Sequence, residues 1–287
     1  MSHQPAASLL RSSTYWQELA PGLSVGGERA DTSTVEFSEL ALAEISEHFH
    51  AQGYLNLAPV FSETELAPLK RALGAFADAE LPPVFIYLYD QPWQLFGRLG
   101  KLIEYFLGAH FALLPNFWAW HIPSISGEGG WPPHQDCQAK TRFVEGDGEQ
   151  TLISLSLWIP LVDVSEDNCC MYVLPRSQEH KYKPAITDPD QIELTNGVAL
   201  PAKAGSVMGW SQDLYHWSGR MSVAANQPRL SLSLEFQNSA FAPLAEPLLN
   251  VTTPPPFETR LALIAAQFEK YKHMEYREFD ITGLPTL

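Results

Sequence analysis

Short stretches in which apolar and polar residues alternate are the feature that most restricts the fold of this chain of 287 residues. LISLSLWI, at 152–159, and LSLSLEF, at 230–236, repeat with the period of two that is typical of β-strands. Three further aromatic or β-branched runs, FWAWHI, MYVLP and GSVMGW, are bounded by Gly, Pro, Asn and Asp. Because no helical pattern separates these runs, we predict an antiparallel sandwich or jelly roll here.

Helical patterns flank this β-rich region on both sides. The spacing of apolar residues predicts helices over 38–52, 62–80, part of 92–113, and about 257–273. Gly53 is a plausible stop for the first helix, and YLNLAPVF after it suits a strand. Ser62 and Glu65 have the spacing of a capping box, but Pro68 favours a start of the second regular helix nearer to that residue.

The predicted fold class is therefore α+β, in one domain that spans 1–287. Its parts are an irregular lead-in at 1–35, a mainly helical part at 36–115, a jelly-roll core at 116–240, and a C-terminal helix and tail at 250–287.

Charge and cysteine content narrow the possible partners and location. The formal net charge of -15 disfavours nucleic acid and anionic membranes as partners. The 3 cysteines, Cys137, Cys169 and Cys170, are too few and too oddly spaced for a disulfide framework, which indicates a reducing compartment. The first residues lack the apolar core of a signal peptide, and no run of 18 apolar residues occurs. We expect a cytoplasmic protein with no obligate protein partner.

The segment WPPHQDCQA holds a His and an Asp at positions that suit a shared metal ion. On an extended strand, side chains two residues apart project to the same face, so His134 and Asp136 can bind one ion together. A third ligand has to come from elsewhere, and His216 in GWSQDLYHWSGR is a better candidate than His180. These three residues match the 2-His-1-carboxylate triad of non-haem Fe(II) oxygenases, although ligand type alone leaves zinc and manganese open.

The strand that begins at Arg229 supplies a candidate anchor for an anionic cosubstrate. An arginine at this position is hard to explain as a core residue, because Arg is rarely buried unpaired. Its guanidinium can hold a carboxylate in a two-point contact. Ser231 faces the same way and Ser218 lies just past His216, so either can add a hydrogen bond. Arg220 is the rival, but it falls in a predicted loop where a solvated arginine is expected.

The order His-x-Asp, a distant His and then Arg-x-Ser resembles the iron- and 2-oxoglutarate-dependent oxygenases, and more narrowly the phytanoyl-CoA dioxygenase-like group. HFHAQGYLNLAPVFSETEL resembles the entry segment of that group. LWIPLVDVSEDNCCMYVLPRSQEH resembles its tryptophan-bearing strand, acidic turn and Leu-Pro-x-Ser-x-x-His stretch, and GWSQDLYHWSGR resembles its distal-histidine segment. Together these segments cover roughly residues 40–240 in the right order.

The resemblance implies a double-stranded β-helix core in which His134, Asp136 and His216 bind Fe(II). It implies that 2-oxoglutarate chelates the iron and places its distal carboxylate on Arg229. The other residues assigned to the cosubstrate are Ser218, Ser231, Trp158, which matches the tryptophan of the strand, and Gln135, which could also point away.

Asp136 also bears on the reaction that the resemblance implies. Some relatives that halogenate have a small residue in its place, so its presence favours hydroxylation, or another oxidation of an unactivated C–H bond, by dioxygen. Succinate and CO2 would be the coproducts. Relatives that desaturate or form rings keep the aspartate too. The alternative from another class is a non-oxygenase metal-binding jelly roll, such as a cupin-like isomerase or a ligand-binding module, which has no need of Arg229.

The substrate is expected to be a small-molecule metabolite whose identity the sequence leaves open. The 8 tryptophans favour an apolar or ring-bearing molecule over a highly charged one. The residues predicted to contact it are Trp120, His121, Trp131 and Trp217, with Trp118 as a further pocket-lining candidate.

Overall fold

Helices and antiparallel strands build this protein together, which confirms the predicted α+β class. The structure is a computed structural model, and it describes residues 5–26, 33–144, 150–179, 196–250, 253–274 and 279–287. The helices are α1 (Ala7–Leu10), α2 (Ser13–Leu19), α3 (Glu39–Gln52), α4 (Glu63–Asp78), α5 (Asp90–Gly97), α6 (Gly100–Leu107), α7 (Arg176–Glu179) and α8 (Phe257–Lys270), with a 3-10 helix at Pro83–Leu88. The strands are β1 (Tyr54–Leu57), β2 (Phe111–Ile122), β3 (Arg142–Val144), β4 (Gln150–Leu152), β5 (Ser154–Pro160), β6 (Met171–Val173), β7 (Val198–Leu200), β8 (Val207–Ser211), β9 (His216–Ser218) and β10 (Arg229–Asn238).

The ten strands form two sheets and one hairpin. The larger sheet has the antiparallel order β1-β8-β5-β10-β2, the smaller has the order β7-β6-β9, and β3 pairs with β4. Trp158 and Met208 of the larger sheet share a buried cluster with Met171 and Val173 of the smaller one. The two sheets are therefore layered, and the candidate site lies between them.

Strand β10 shows how the alternating sequence produces these layers. One face carries Leu230, Leu232, Leu234 and Phe236, which belong to the large core cluster that also contains residues of most helices. The opposite face carries Arg229, Ser231, Ser233 and Glu235, all of them odd-numbered. Apolar burial against the helices thus fixes which polar side chains face the smaller sheet.

The N-terminal lead-in is more ordered than predicted. Residues 1–35 were expected to be irregular, but α1 and α2 lie within them. Trp16 of α2 is completely buried, and its indole N–H donates to the carbonyl of Leu10 at 2.8 Å. A single large aromatic ring that packs into the core stabilises a segment whose own periodicity is weak.

The first two predicted helices are present, with one wrong boundary. Helix α3 ends at Gly53, as predicted, and this glycine has a φ of 88°, a conformation that favours Gly at a helix end. Helix α4 begins at Glu63, not near Pro68, which lies inside the helix. The backbone N–H of Ser62 donates to the Glu65 carboxylate at 2.8 Å, so the capping box sets the start of the helix in spite of the proline.

The region 92–113 is not one helix. It contains α5 and α6, which are separated at Arg98 and Leu99, and then the beginning of β2. The apolar residues of this region therefore belong to three elements, two helices and one strand. In the described ranges, no helix combines the length and the apolar composition that crossing a membrane requires.

Candidate metal centre

His134, Asp136 and His216 come together between the two sheets, with one possible ligand atom from each lying within 4.8 Å of the others. His216 opens β9 and follows β8, which is the strand that the run GSVMGW predicted. His134 does not lie in a strand, which corrects the predicted setting of the His-x-Asp pair. It forms an isolated antiparallel bridge with His216, in which each backbone N–H donates to the other residue's carbonyl at 3.1 and 3.0 Å. This bridge holds the two imidazoles side by side.

Both imidazoles are oriented by main-chain carbonyls. Nδ1 of His134 lies 2.7 Å from the carbonyl oxygen of Pro132, and Nδ1 of His216 lies 3.0 Å from that of Leu214. Because a carbonyl oxygen only accepts, Nδ1 donates a proton in each ring, and Nε2 is left as the nitrogen that a metal can bind. These two Nε2 atoms lie 3.7 and 3.5 Å from Oδ1 of Asp136, so three lone-pair donors converge on one point.

The two oxygens of Asp136 have different neighbours. Oδ2 accepts a hydrogen bond from Oγ of Ser156 at 2.6 Å and another from Nε1 of Trp210 at 2.9 Å. Oδ1 faces the two histidines instead. Neither Ser156 nor Trp210 was predicted from the sequence as a site residue, although both lie on strands that alternation predicted.

Burial and mutual charge set the protonation states of these groups. Burial, followed by the neighbouring His216, lowers the pKa of His134 to about 4 although Asp136 opposes the shift. Burial raises the pKa of Asp136, but the two histidines and the hydrogen bonds from Ser156 and Trp210 together lower it below its usual value. At neutral pH the centre therefore offers neutral imidazole from His134 and a carboxylate. This mixed nitrogen and oxygen set suits iron, and also zinc or manganese.

Arg229 is a buried cation beside this centre, with a side chain only 1% exposed. Its Nη1 donates to the carbonyl of Cys169 and to Oγ of Ser218, both at 3.1 Å, but its Nε has no hydrogen-bond partner among the described residues. Burial lowers the pKa of Arg229 to about 10, and within the described part of the chain no carboxylate offsets that effect. A buried guanidinium in this state fits the distal carboxylate of 2-oxoglutarate.

Gly130 leaves the space that this arrangement needs. A Cβ added at Gly130 would lie 2.9 Å from Nη2 of Arg229 and 2.9 Å from Cβ of Ser218. The backbone N–H of Gly130 also donates to Oγ of Ser218 at 3.0 Å. The absence of a side chain at this position therefore lets the guanidinium and the serine approach each other.

The structure brings most of the predicted site residues to one pocket. Its lining residues are Trp120, Trp131, His134, Asp136, Ser156, Trp158, Met171, Trp210, His216, Ser218, Arg229, Ser233, Glu235 and Tyr271. The guanidinium carbon of Arg229 lies 5.5 Å from the ring centres of both Trp120 and Trp158. The cosubstrate end of the pocket thus has a cation between two indole rings.

Residues 98–226 match the family model of phytanoyl-CoA dioxygenase (PhyH). The predicted resemblance to the phytanoyl-CoA dioxygenase-like group is confirmed by this match.

Several solved structures share the fold at low sequence identity. The epimerase SnoN, in complex with Fe3+, alpha ketoglutarate and nogalamycin RO, has a TM-score of 0.52 and 17% identity over 70% of this chain and 85% of its own. EctD from S. alaskensis, with 2-oxoglutarate and 5-hydroxyectoine, has a TM-score of 0.53 and 20% identity over 82% of this chain and 89% of its own. AviO1 from Streptomyces viridochromogenes Tue57 has a TM-score of 0.52 and 19% identity over 74% and 100% of the two chains. No curated protein sequence matches the chain.

Four of the predicted site residues do not line the pocket, namely Ser231, Gln135, His121 and Trp217. Ser231 is fully buried beside Arg229 on β10, and its hydroxyl has no partner. Gln135 points away, because its amide donates to the carbonyl of Asp213 at 2.5 Å.

The other two of these four residues, His121 and Trp217, also lie away from the pocket. His121 alternates with Trp120 along β2 and so belongs to the opposite face of that strand. Trp217 stacks on Tyr172, with ring centres 5.8 Å apart. Trp118 packs behind the wall against Trp131 and Tyr271, with ring centres 5.7 and 5.4 Å away. His180 lies outside the described residues.

Glu235 and Tyr271 are pocket residues that sequence reasoning missed. Glu235 continues the odd-numbered face of β10 that begins at Arg229, so strand alternation alone was enough to find it. Tyr271 directly follows α8, and only packing of that helix on the sheet brings it to the pocket. Burial, followed by the charge of Asp136, raises the pKa of Glu235 to about 7.

Proposed function

We propose that this protein is an Fe(II)- and 2-oxoglutarate-dependent dioxygenase that oxidises an unactivated C–H bond of a small-molecule metabolite. One observation carries the proposal: three converging ligand atoms share a pocket with a buried arginine whose Nε has no partner. The match to the PhyH family model and the shared fold of structures that hold iron and 2-oxoglutarate support it. The proposal includes a double-stranded β-helix core within a single domain.

The proposed roles follow from the contacts of each residue. Nε2 of His134, Nε2 of His216 and Oδ1 of Asp136 would bind the metal on one side, so that the other side stays open to cosubstrate and dioxygen. Bound iron supplies oxidative decarboxylation of 2-oxoglutarate, with succinate and CO2 as coproducts, and oxidation of the substrate. Arg229 and Ser218 would hold the distal carboxylate of 2-oxoglutarate.

Indole rings complete the proposed cosubstrate site. Trp120 and Trp158 flank the guanidinium of Arg229 and exclude water from it, which strengthens a charged hydrogen bond. The indole N–H groups of both residues have no partner in the part of the chain that the structure describes, so they are available to an acceptor atom of a bound molecule. Ser231 remains a proposed contact through its unpartnered hydroxyl.

Hydroxylation is the reaction that we favour. Asp136 occupies the position at which halogenating relatives carry a small residue, so the third ligand site is not free for a halide. SnoN, which has the same fold, is an epimerase whose structure holds Fe3+ and alpha ketoglutarate, so the assay must detect more than one product class. A non-oxygenase jelly roll is disfavoured because it would leave the charge of Arg229 buried without a role.

The proposal is tested by coproduct release and by two binding measurements. Purified protein with Fe(II), 2-oxoglutarate and a metabolite panel should release succinate in a substrate-dependent manner. His134→Ala should lose metal binding, and Arg229→Ala should keep the metal but lose 2-oxoglutarate binding. The oxygenase assignment is wrong if the wild-type protein binds metal but not 2-oxoglutarate. It is also wrong if Arg229→Ala leaves the affinity for 2-oxoglutarate unchanged.

A further inference from the structure

The end of the pocket away from Arg229 contains an acidic and aromatic cluster, formed by Glu235, Tyr271 and Trp131. Glu235 is six residues from Arg229 on the same face of β10, a distance of about 20 Å along an extended strand. Trp131 connects this cluster to the metal centre, because its ring centre is 4.6 Å from that of Tyr271 and 5.7 Å from that of His134. A molecule bound near the metal and held at this end would touch all three residues.

The carboxyl group of Glu235 is held firmly by one of its oxygens and is nearly free at the other. Oε2 accepts hydrogen bonds from the side-chain amides of Asn116 and Gln212, both at 2.7 Å. Oε1 has only a long contact of 3.4 Å with the hydroxyl of Tyr271. The carboxyl is therefore fixed in place, with one oxygen available to a donor from a bound molecule.

Glu235 is a buried acid without a cation paired to it in the described part of the chain. In the described ranges, no Lys, Arg or His side chain forms an ion pair with it, and the group is only 7% exposed. Lys270 acts on Glu235 from a distance, but Lys270 is exposed to solvent and its ammonium lies over the ring of Tyr271 at 5.3 Å. Solvent screens that charge, so it offsets the buried carboxylate only weakly.

With iron and 2-oxoglutarate bound, the charges in the pocket already balance without Glu235. The charges of Fe(II) and Arg229 are balanced by those of 2-oxoglutarate and Asp136. Whenever Glu235 is ionised, it adds one negative charge to a largely apolar enclosure, where an uncompensated charge is unfavourable. A cationic group on the substrate would compensate it.

The ring faces beside Glu235 suit the same cation. Tyr271 and Trp131 meet at an interplanar angle of 38°, and Trp118 packs behind both. Aromatic faces of this kind attract ammonium groups, and more strongly when water is excluded. A neutral alcohol would gain a hydrogen bond from Oε1 but neither the charge compensation nor the cation–π contact.

We propose that Glu235, together with the rings of Tyr271 and Trp131, forms an ammonium-binding subsite, and that the substrate is therefore a small amine that binds in its protonated form. This inference rests on the proposed function, because the surplus charge at Glu235 depends on bound iron and 2-oxoglutarate. It names the substrate class that the oxygenase centre would act on.

The test compares charged and neutral probes of the same shape. Protein loaded anaerobically with Fe(II) and 2-oxoglutarate is titrated with n-butylammonium and phenethylammonium, and with their alcohol counterparts n-butanol and 2-phenylethanol, by calorimetry and tryptophan fluorescence. We expect at least one ammonium probe to bind at least tenfold more tightly than its alcohol. Glu235→Gln, which keeps an oxygen acceptor for Asn116 and Gln212, should abolish that preference. Glu258→Gln, at an exposed glutamate of α8, is the matched control and should retain it.

Metal and 2-oxoglutarate affinities are measured in the same variants, which separates the two proposals. Loss of the ammonium preference in Glu235→Gln with unchanged 2-oxoglutarate affinity supports the subsite. If the wild type binds metal and 2-oxoglutarate but shows no preference for ammonium, or if Glu235→Gln keeps the preference, the subsite is wrong while the proposed function stands. If the wild type binds no 2-oxoglutarate, the proposed function fails first and the charge argument fails with it.

Discussion

Asp136 illustrates how a single residue is prepared as a ligand. Its Oδ2 is occupied by Ser156 and Trp210, so Oδ1 is the oxygen left for a metal. Such supporting hydrogen bonds fix a ligand's rotamer, and their loss typically weakens metal binding by about 10-fold to 100-fold.

Replacement of Trp210 by Phe should therefore lower metal affinity by about tenfold. The substitution removes the N–H donor but keeps a ring next to His216, whose ring centre lies 4.4 Å away. Trp217→Phe is the control, because Trp217 stacks on Tyr172 and does not line the pocket. Competition with a chromophoric chelator measures both affinities, and equal losses in the two variants would contradict the role given to Trp210.

Gly130 offers a second prediction, which concerns the cosubstrate and not the metal. In Gly130→Ala the new methyl group would meet the guanidinium of Arg229 and Ser218 at 2.9 Å, closer than real side chains approach. We expect 2-oxoglutarate affinity to fall at least tenfold while metal affinity stays within twofold. Gly74→Ala, where nothing lies within 4 Å of the added Cβ, should leave both unchanged. A metal affinity that falls in parallel would mean that the substitution distorts the whole site.

At the scale of elements, helix α8 matters because it brings Tyr271 to the pocket. A buried ion pair fixes its first turn: Nη2 of Arg260 lies 2.6 Å from Oδ1 of Asp90, and both side chains are at most 4% exposed. Arg260 also donates to the carbonyls of Pro255 and Leu88 at 2.6 and 2.9 Å. Removal of one member of such a pair leaves the other charge buried without its counter-ion.

Arg260→Met should accordingly reduce the free energy of unfolding by about 3 to 5 kcal/mol. The matched control is Arg11→Met, because the pair between Arg11 and Glu258 joins the same helix at 3.9 Å but is largely exposed; its loss should cost less than about 1 kcal/mol. Urea unfolding monitored by tryptophan fluorescence provides both values. Similar values for the two variants would show that burial does not set the strength of the Arg260 pair.

The sequence predicts a helix or strand well when one of its faces is buried, because burial of one face gives a regular apolar pattern. The alternation in LISLSLWI and LSLSLEF predicted β5 and β10, and it also predicted that Arg229 opens a strand. The setting of His134 was predicted wrongly, because an isolated bridge to His216 holds it and not a continuous strand. That bridge joins residues distant in sequence, so no local pattern reveals it.

For the whole molecule, sequence reasoning found the site residues whose type and spacing are unusual for a structural role. It missed residues of common types that only tertiary packing brings to the pocket. The metal triad and Arg229 stand out because two histidines, a carboxylate and a buried arginine have few alternative explanations. Tyr271 became a pocket residue only through the docking of α8 on the sheet. Its place in the pocket depends on contacts with Trp118 and Trp131, which lie far from it in the sequence, and single-sequence periodicity does not reveal such contacts.

Two buried groups give the metal-free protein opposing pH dependences. The pKa of His134 falls from 6.5 to about 4 on folding, mainly through burial. The unfolded chain then binds more protons in that range, and stability rises with pH across it. The pKa of Glu235 rises from 4.5 to about 7, again mainly through burial. The folded protein binds more protons in this second range, so stability falls as the pH rises through it.

Glu235→Gln removes the pH dependence of stability that is due to Glu235 and leaves the one that is due to His134. Relative to the wild type, the free energy of unfolding of the variant should rise steadily between pH 4.5 and about 7, by about 3 kcal/mol in all, and stay constant above that range. Urea unfolding at a series of pH values, with a chelator present, measures the difference, and Glu258→Gln, at an exposed glutamate of α8, serves as the control. Because only the pH-dependent part of the difference reports on ionisation, a constant offset from altered hydrogen bonds does not affect the test. A difference that is the same at low and high pH would mean that Glu235 does not have a raised pKa.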